Sequence, residues 1–445
     1  MSRRAIVWYR RDLRVADLPA LHGALDAADE VACLFVLDRR LLGGAGSGAS
    51  KRAFLYGALA ALDRDLRALD ARLAVREGDP ARVLPELAAE LGAGEVHCSR
   101  EYTPWAKRRD SAVAGALEAK GMRLRQHPGL YLSDLDAVRT GDGGPFKVYT
   151  PFAKAARALG WDDPLPAPAR IPSPGRVPGG TGLPAKAGFD LDGAVGAFPP
   201  DPSSALERLR WFARGPVRDY ADRRDQLGAD GTSKLSAYLR LGLLSPRQVV
   251  AALPAGGRGR AAYVGELLWR DFYAAVLHHW PDSAWDDFRP EFGALKWEHD
   301  PDGLAAWREG RTGYPLVDAG MRQLVATGWM HNRARMVSAS FLTKHLLVDW
   351  REGARFFLEH LVDGDLAANN GGWQWVAGSG TDAQPSYRVF NPTRQAERFD
   401  PDGAYIRRWL PELATGRGGY PAPIVDHDEA RTRALARFEA VKSSR

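Results

Sequence analysis

The chain reads as an α/β N-terminal domain, with a parallel, Rossmann-like sheet, joined by a long linker to an all-α C-terminal domain. Three observations predict this. Residues 1–130 alternate short β-like runs with helical stretches, the rhythm of βαβ units. Residues 161–203 contain ten prolines and seven glycines, a composition that interrupts regular structure. From residue 203 onward, apolar side chains recur at helical spacing almost throughout. The boundaries are therefore 1–130 for the α/β domain, 131–202 for the linker and 203–445 for the helical domain.

Within the first domain, strands are predicted at 5–8, 31–37, 73–76, 95–99 and 122–126, with helices near 17–28, 50–70, 80–91 and 104–120. The linker is expected to wind over the surface. In the helical domain, 3.6-type spacing marks 203–226, 234–243, 260–280, 304–309, 315–327, 332–347 and 350–361. No internal repeat is visible.

Composition narrows the function classes. The balance of 45% hydrophobic and 26% charged residues is that of an ordinary globular protein. Cys33 and Cys98 are the only cysteines, too few for a disulfide framework, and both fall in predicted strands. Buried, inert thiols in a reducing compartment are expected, which points to the cytoplasm. No zinc-ligand spacing and no apolar run of membrane-spanning length occurs. The net charge of +6 permits an anionic partner without locating one. Tryptophan stands out at 14 residues, nine of them between Trp269 and Trp375. Such a large ring that both stacks and donates one hydrogen bond is more than a plain core needs.

Several motifs have bland readings. The run 44–49 fits a loose G-x-G-x-x-A pattern but follows the second strand rather than the first, so a flexible loop is expected. Asp363-Gly364-Asp365 opens like a calcium loop and then fails the pattern at Leu366. Together with Asn369 and Asn370 it is a polar cluster beside an apolar helix, and a helix cap is the competing reading. Thr232-Ser233-Lys234-Leu235-Ser236 follows Gly231 and opens a helix, a place suited to a phosphate or to an ordinary N-cap.

Two helical constellations are sharper. Glu266 and Trp269 are three apart and share a face. Asn332 and Met336 are four apart, with Arg335 beside them, while Arg333 is rotated by roughly 100°. Trp373 and Trp375 are two apart, so on a helix one turns inward while the other can line a cavity. A carboxyl, an amide, a thioether and aromatic walls suit a flat, carbonyl-bearing ligand such as a nucleobase. Core packing with surface salt bridges is the alternative.

The stretches WMHNRARMVSASFL (329–342), DWREG (349–353), DGDLAANNGGWQW (363–375) and RVFNPTRQ (388–395) closely resemble the photolyase/cryptochrome family. DGTSKLS (230–236), ELLWRDFY (266–273) and WYRRDLRVAD (8–17) fit as well. The resemblance spans essentially the whole chain. It is strongest to bacterial-type class I cyclobutane pyrimidine dimer photolyases.

The resemblance implies a light-dependent carbon–carbon lyase in the helical domain, holding a bent FAD. Tyr220, Thr232, Ser233, Lys234, Leu235 and Ser236 would contact its phosphates and sugar. Tyr263, Asn332, Arg335, Asp363, Gly364, Asp365 and Asn369 would complete the site, with Arg335 paired to Asp363. Asn369 would sit beside flavin N5, where an amide oxygen favours reduced flavin. Excited reduced flavin would give an electron to a pyrimidine dimer flipped out of UV-damaged DNA, and the electron would return after the ring splits. Glu266, protonated through burial, would hydrogen-bond the dimer together with Asn332. Trp269, Trp375 and Met336 would form the pocket walls. Arg224, Arg270, Arg333 and Gln395 would contact DNA. Trp297, Trp350 and Trp373 would relay electrons to the flavin, leaving Trp280, Trp285, Trp307 and Trp329 to packing.

The resemblance also implies a second, antenna chromophore. Trp105-Ala106 stand where folate-binding relatives have Asn-Glu, so an 8-hydroxy-deazaflavin type is favoured over methenyltetrahydrofolate, with Arg52 and Glu101 as contacts. A flavin antenna, or none, is the alternative. A monomer is expected. The rival functions are a cryptochrome-type blue-light sensor and a generic flavin oxidoreductase.

Overall fold

Short apolar runs that bury both of their faces build the first domain. In the computed structural model, which describes residues 2–44, 46–175, 177–179, 183, 191–193, 196–382, 388–415 and 419–443, five strands form one sheet. They are β1 (Arg4–Tyr9), β2 (Glu30–Leu37), β3 (Leu73–Glu77), β4 (Ala93–Ser99) and β5 (Arg123–His127). Their order is β3-β2-β1-β4-β5, and every pairing is parallel. Ala5, Val7, Tyr9, Val31, Cys33 and Phe35 face one core. Ile6, Trp8, Ala32, Leu34, Val96 and Cys98 face another, beneath the helices Pro80–Leu91 and Pro104–Glu118. A sheet covered on both faces needs apolar residues at consecutive positions, which is why these strands read as runs. Both cysteines are buried and free, and burial pushes each thiol up to about 12.

The expected linker is more ordered than its composition suggests. Helix Tyr149–Leu159 lies inside 131–202 and buries Phe152, Ala153 and Ala156. The Tyr149 hydroxyl donates to the Gly265 carbonyl at 2.8 Å. Asp271 Oδ2 accepts from the Ser133 backbone N–H at 2.7 Å, tying this segment to the helical domain. That carboxyl is fully buried, and burial lifts it to about 6. Residues 176, 180–182, 184–190 and 194–195 of the linker, and Ala45 of the glycine-rich run, lie outside the described residues.

The helical domain is organised around Arg258–His279, Asn332–Ser340, Trp350–His360 and Leu366–Ala377. The helix expected at 203–226 is two helices, Pro202–Arg214 and Pro216–Arg223. Pro216 lacks the N–H that continuation requires, and so starts a new helix. The helix expected at 332–347 changes at Phe341 into a π-turn, Phe341–His345. Helices at Pro246–Ala252, Pro392–Phe399 and His427–Ser443 were not expected.

The two domains are bonded through residues 11–17. Leu13 N–H donates to the Leu241 carbonyl at 3.0 Å, and Arg14 donates to the Gly242 carbonyl at 3.1 Å. Asp17, fully buried, accepts from Arg247 at 2.5 Å and from the Ser245 hydroxyl. The larger core runs through both domains, from Val7 and Val31 to Leu235 and Phe272. Among the described residues, no helix is long and apolar enough to cross a membrane.

Candidate active site

Three helices and two turns converge on the predicted residues of the helical domain. The first turn, 230–235, is shaped by hydrogen bonds. Arg208 donates to the carbonyls of Thr232 (2.7 Å) and Ser233 (2.9 Å) and pairs with Asp230 at 2.8 Å. Lys234 adopts φ +52° and pairs with Asp230 at 2.8 Å. The Tyr263 hydroxyl donates to Ser233 Oγ at 2.8 Å, and Trp329 Nε1 donates to Ser236 Oγ at 3.3 Å. Tyr220 and Tyr263 meet edge to face with centroids 5.1 Å apart. Buried Leu235 completes this wall. Arg208 was missed by sequence reading, because an arginine on a helix carries no mark of the carbonyls it will reach.

The second turn, Asp363 to Asp365, precedes helix Leu366–Ala377. Arg335 donates to Asp363 Oδ2 at 2.8 Å. Its other oxygen, Asp363 Oδ1, is buried without a partner among the described residues. Asp365 caps the helix, accepting from Ala367 and Ala368 N–H, and also accepts from Arg11. Burial would raise its pKa, but Arg11, Arg240 and Arg270 hold it well below the usual carboxylate range. Asp365 is thus committed to holding the domains together. Asn369 Nδ2 donates to the Ala354 carbonyl (3.1 Å) and to Asn370 Oδ1 (2.9 Å). With its N–H groups engaged, the amide oxygen is left as the group with no bond inside the described protein.

The third cluster lies on helices Arg258–His279 and Asn332–Ser340. Glu266 accepts from Arg224 at 2.5 Å. Burial raises its carboxyl, Arg224 opposes this and Asp225 adds to it, for a net upward shift. Exposed Asn332 holds Met336 Sδ at 3.7 Å across one helical turn. Trp269 is stacked flat on Tyr149, with centroids 3.7 Å apart and planes 6° apart. Trp373 is buried and Trp375 partly exposed, the opposed facing that their spacing predicts. Gln395 Oε1 is buried without a partner among the described residues.

The three rings expected to relay electrons differ in burial. Trp373 and Trp350 are buried and Trp297 is partly exposed. A Cβ on Gly353 would strike the Trp373 ring, so that glycine lets Trp373 lie against the helix that Trp350 begins. Trp307, expected only to pack, touches Trp373 with centroids 6.1 Å apart.

Four residues with expected DNA or antenna contacts are engaged by protein partners instead. Arg270 donates to the carbonyls of Leu130 (2.6 Å) and Leu239 (3.2 Å) and covers the Tyr131 ring, so its guanidinium is spent inside the fold rather than offered to DNA. Arg333 pairs with Asp225 at 2.9 Å over the Phe399 ring, which leaves it little exposed. Of the antenna contacts, Arg52 is bonded to the Leu42 and Ser47 carbonyls. Glu101 is locked by Arg10 (3.2 Å) and Arg109 (2.8 Å) at the C-terminal end of the sheet. Those guanidiniums lie over the Trp8 ring at 4.5 and 4.8 Å.

Burial would raise Glu101, but Arg109, Arg10 and Arg11 bring it down to about 2. A depressed acid contributes stability above its unfolded value, lost as pH falls through its folded value. Glu101→Gln is therefore expected to flatten the acid-unfolding curve between 4.5 and about 2, as followed by circular dichroism. An unchanged acid profile would remove Glu101 as a stabilising group.

Residues 5–169 match the family model described as DNA photolyase, and residues 263–419 that described as the FAD binding domain of DNA photolyase. A deoxyribodipyrimidine photo-lyase of Streptomyces griseus is 42% identical, over 98% of this chain and 99% of its own length. Two solved structures are similar. A class III photolyase from Agrobacterium tumefaciens has a TM-score of 0.90 at 36% identity, over 100% of this chain and 98% of that one. An archaeal photolyase from Sulfolobus tokodaii, described with two FAD molecules, has a TM-score of 0.89 at 30% identity, over 98% and 100%. On this fold and these matches, the chain belongs to the DNA photolyase family, and its helical domain carries that family's FAD-binding domain.

Proposed function

We propose that the protein repairs cyclobutane pyrimidine dimers in UV-damaged DNA under blue light, with FAD in the helical domain. The observation that carries this is the pairing of a buried, unpartnered Asp363 Oδ1 with an Asn369 amide oriented by its N–H groups. Polar atoms buried without partners are rare and call for a ligand. They suit a flavin ring, whose edge offers donors to both oxygens, while the 232–236 turn supplies hydroxyls and Lys234 for its phosphates. Bound FAD supplies the light absorption and the transferable electron.

The protein's own residues position and exclude. Arg335 orients the Asp363 carboxylate. Tyr220, Tyr263 and Leu235 keep water from the cofactor side. Glu266, raised toward its protonated form by burial, offers a hydrogen bond to a dimer carbonyl, and Asn332 a second. Met336, Trp269 and Trp375 supply apolar surface for a dimer removed from the stack, a step that damage makes less costly. Arg224, which holds Glu266, contacts the flanking strand together with Gln395. Trp297, Trp350 and Trp373 carry electrons inward.

A cryptochrome-type sensor is less favoured, since signalling does not require Glu266, Asn332 and Met336 together on one face. A second chromophore belongs to this proposal only as a class, because Glu101 and Arg52, expected to hold a deazaflavin, are occupied by protein partners. No step is assigned to it. The buried free thiols suit a reducing compartment such as the cytoplasm.

The test is loss of thymine dimers from an oligonucleotide under blue light, with FAD-loaded, chemically reduced protein. Repair in light and none in darkness is expected, with binding that weakens as salt rises. Dimers persisting under light would sink the reading.

A further inference from the structure

Four cations from both domains surround the turn that bears Asp363, and three of them bond to it. Arg335 holds Asp363, Arg240 Nε donates to the Gly364 carbonyl at 3.0 Å, and Arg11 holds Asp365. The fourth is Lys51, on helix Ala49–Arg67 of the α/β domain. Its ammonium crosses to the helical domain, donating to the Leu358 carbonyl and, at 2.7 Å, to the Gly46 carbonyl. A Cβ on Gly364 would come within 2.6 Å of Lys51 Nζ. Gly364 does not adopt a positive φ, so what the glycine provides is room for this ammonium.

Lys51 has neutral carbonyls as its hydrogen-bond partners. Around it stand Arg11 and Arg240, with Asp363 and Asp365 as the opposing charges. Counting Arg335, cations outnumber carboxylates behind the turn. Burial, helped by Arg240 and Arg11, pulls the Lys51 amine down to about 7, while Asp363 and Asp365 resist. An amine balanced in this way responds to any new negative charge nearby.

We propose that Lys51 is a positioning residue through which the α/β domain sets the reduction potential of the flavin held at Asp363 and Asn369. This rests on the flavin reading above. Reduction adds negative charge to the ring system, and a cation stabilises that charge far more strongly in a buried site than in water.

The experiment is a spectroelectrochemical titration of the FAD-loaded full-length protein, its Lys51→Met variant and its Lys51→Arg variant. Flavin content is read from absorbance and folding from circular dichroism. Lys51→Met is expected to retain flavin and to lower the midpoint potential by about 30 mV, a tenfold weaker two-electron preference for the reduced form. Lys51→Arg is expected to restore it. An unchanged potential in Lys51→Met overturns the proposal, as does an equal fall in Lys51→Arg. If Lys51→Met loses its flavin, Lys51→Gln takes its place, and loss from both with retention in Lys51→Arg overturns the proposal in favour of a purely structural role. Wild-type protein without flavin would instead sink the function reading. Wild-type protein that binds flavin and repairs dimers, beside an unshifted Lys51→Met, sinks this inference alone.

Discussion

Trp373→Phe is expected to slow light-driven reduction of bound flavin by roughly tenfold or more, about 1.4 kcal/mol on the barrier. Repair by protein reduced chemically beforehand is expected to keep its wild-type yield. Phenylalanine retains the apolar contact with Phe357, whose ring centroid lies 5.0 Å from that of Trp373, but lacks the readily oxidised indole. Trp350, the second ring of the proposed relay, is fully buried and donates its Nε1–H to Asp287 Oδ1 at 2.9 Å. A carboxylate at that nitrogen favours positive charge on the ring, which an electron donor must briefly bear. The measurement is flavin absorbance under blue light with a thiol reductant. Unimpaired photoreduction in a correctly folded variant would remove Trp373 from the path.

Glu266→Ala is expected to weaken binding of dimer-containing DNA by roughly tenfold, the upper end of the scale of one neutral hydrogen bond. Repair per absorbed photon is expected to fall with it, at undiminished flavin content. Glu266 stands one helical turn from Tyr263 and is held by Arg224. Removing the carboxyl frees Arg224, which is exposed enough to be solvated. A Glu266→Gln variant keeps a donor and should fall between the two. Loss of flavin in Glu266→Ala would make the residue a structural support.

The strands were legible because a sheet buried on both faces leaves continuous apolar runs, and β2 begins one residue before the expected run. Helix ends set by proline were legible wherever proline was read as a start. The 203–226 helix failed because Pro216 was not read that way, and the π-turn at Phe341–His345 has no periodic signature. Helix Tyr149–Leu159 was hidden by the prolines and glycines that follow it. For the site, spacing placed Glu266 with Trp269 and Asn332 with Met336, while the roles of the 232–236 and 363–369 turns came from resemblance. Arg270, Arg52 and Glu101 show the limit of both. Residue type gives the chemistry a side chain can perform, but its partners come from elements distant in sequence, such as Leu130 and Leu239 for Arg270.

The larger hydrophobic core crosses the domain boundary, and Asp17 and Asp365 are held from the far side of it. Unfolding either half would therefore expose the apolar surface of the shared core that the other half contributes. The two domains are distinct in architecture but are expected to unfold as one cooperative unit. A single melting transition follows from that, and a fragment ending near residue 202 would carry an apolar face with nothing to cover it.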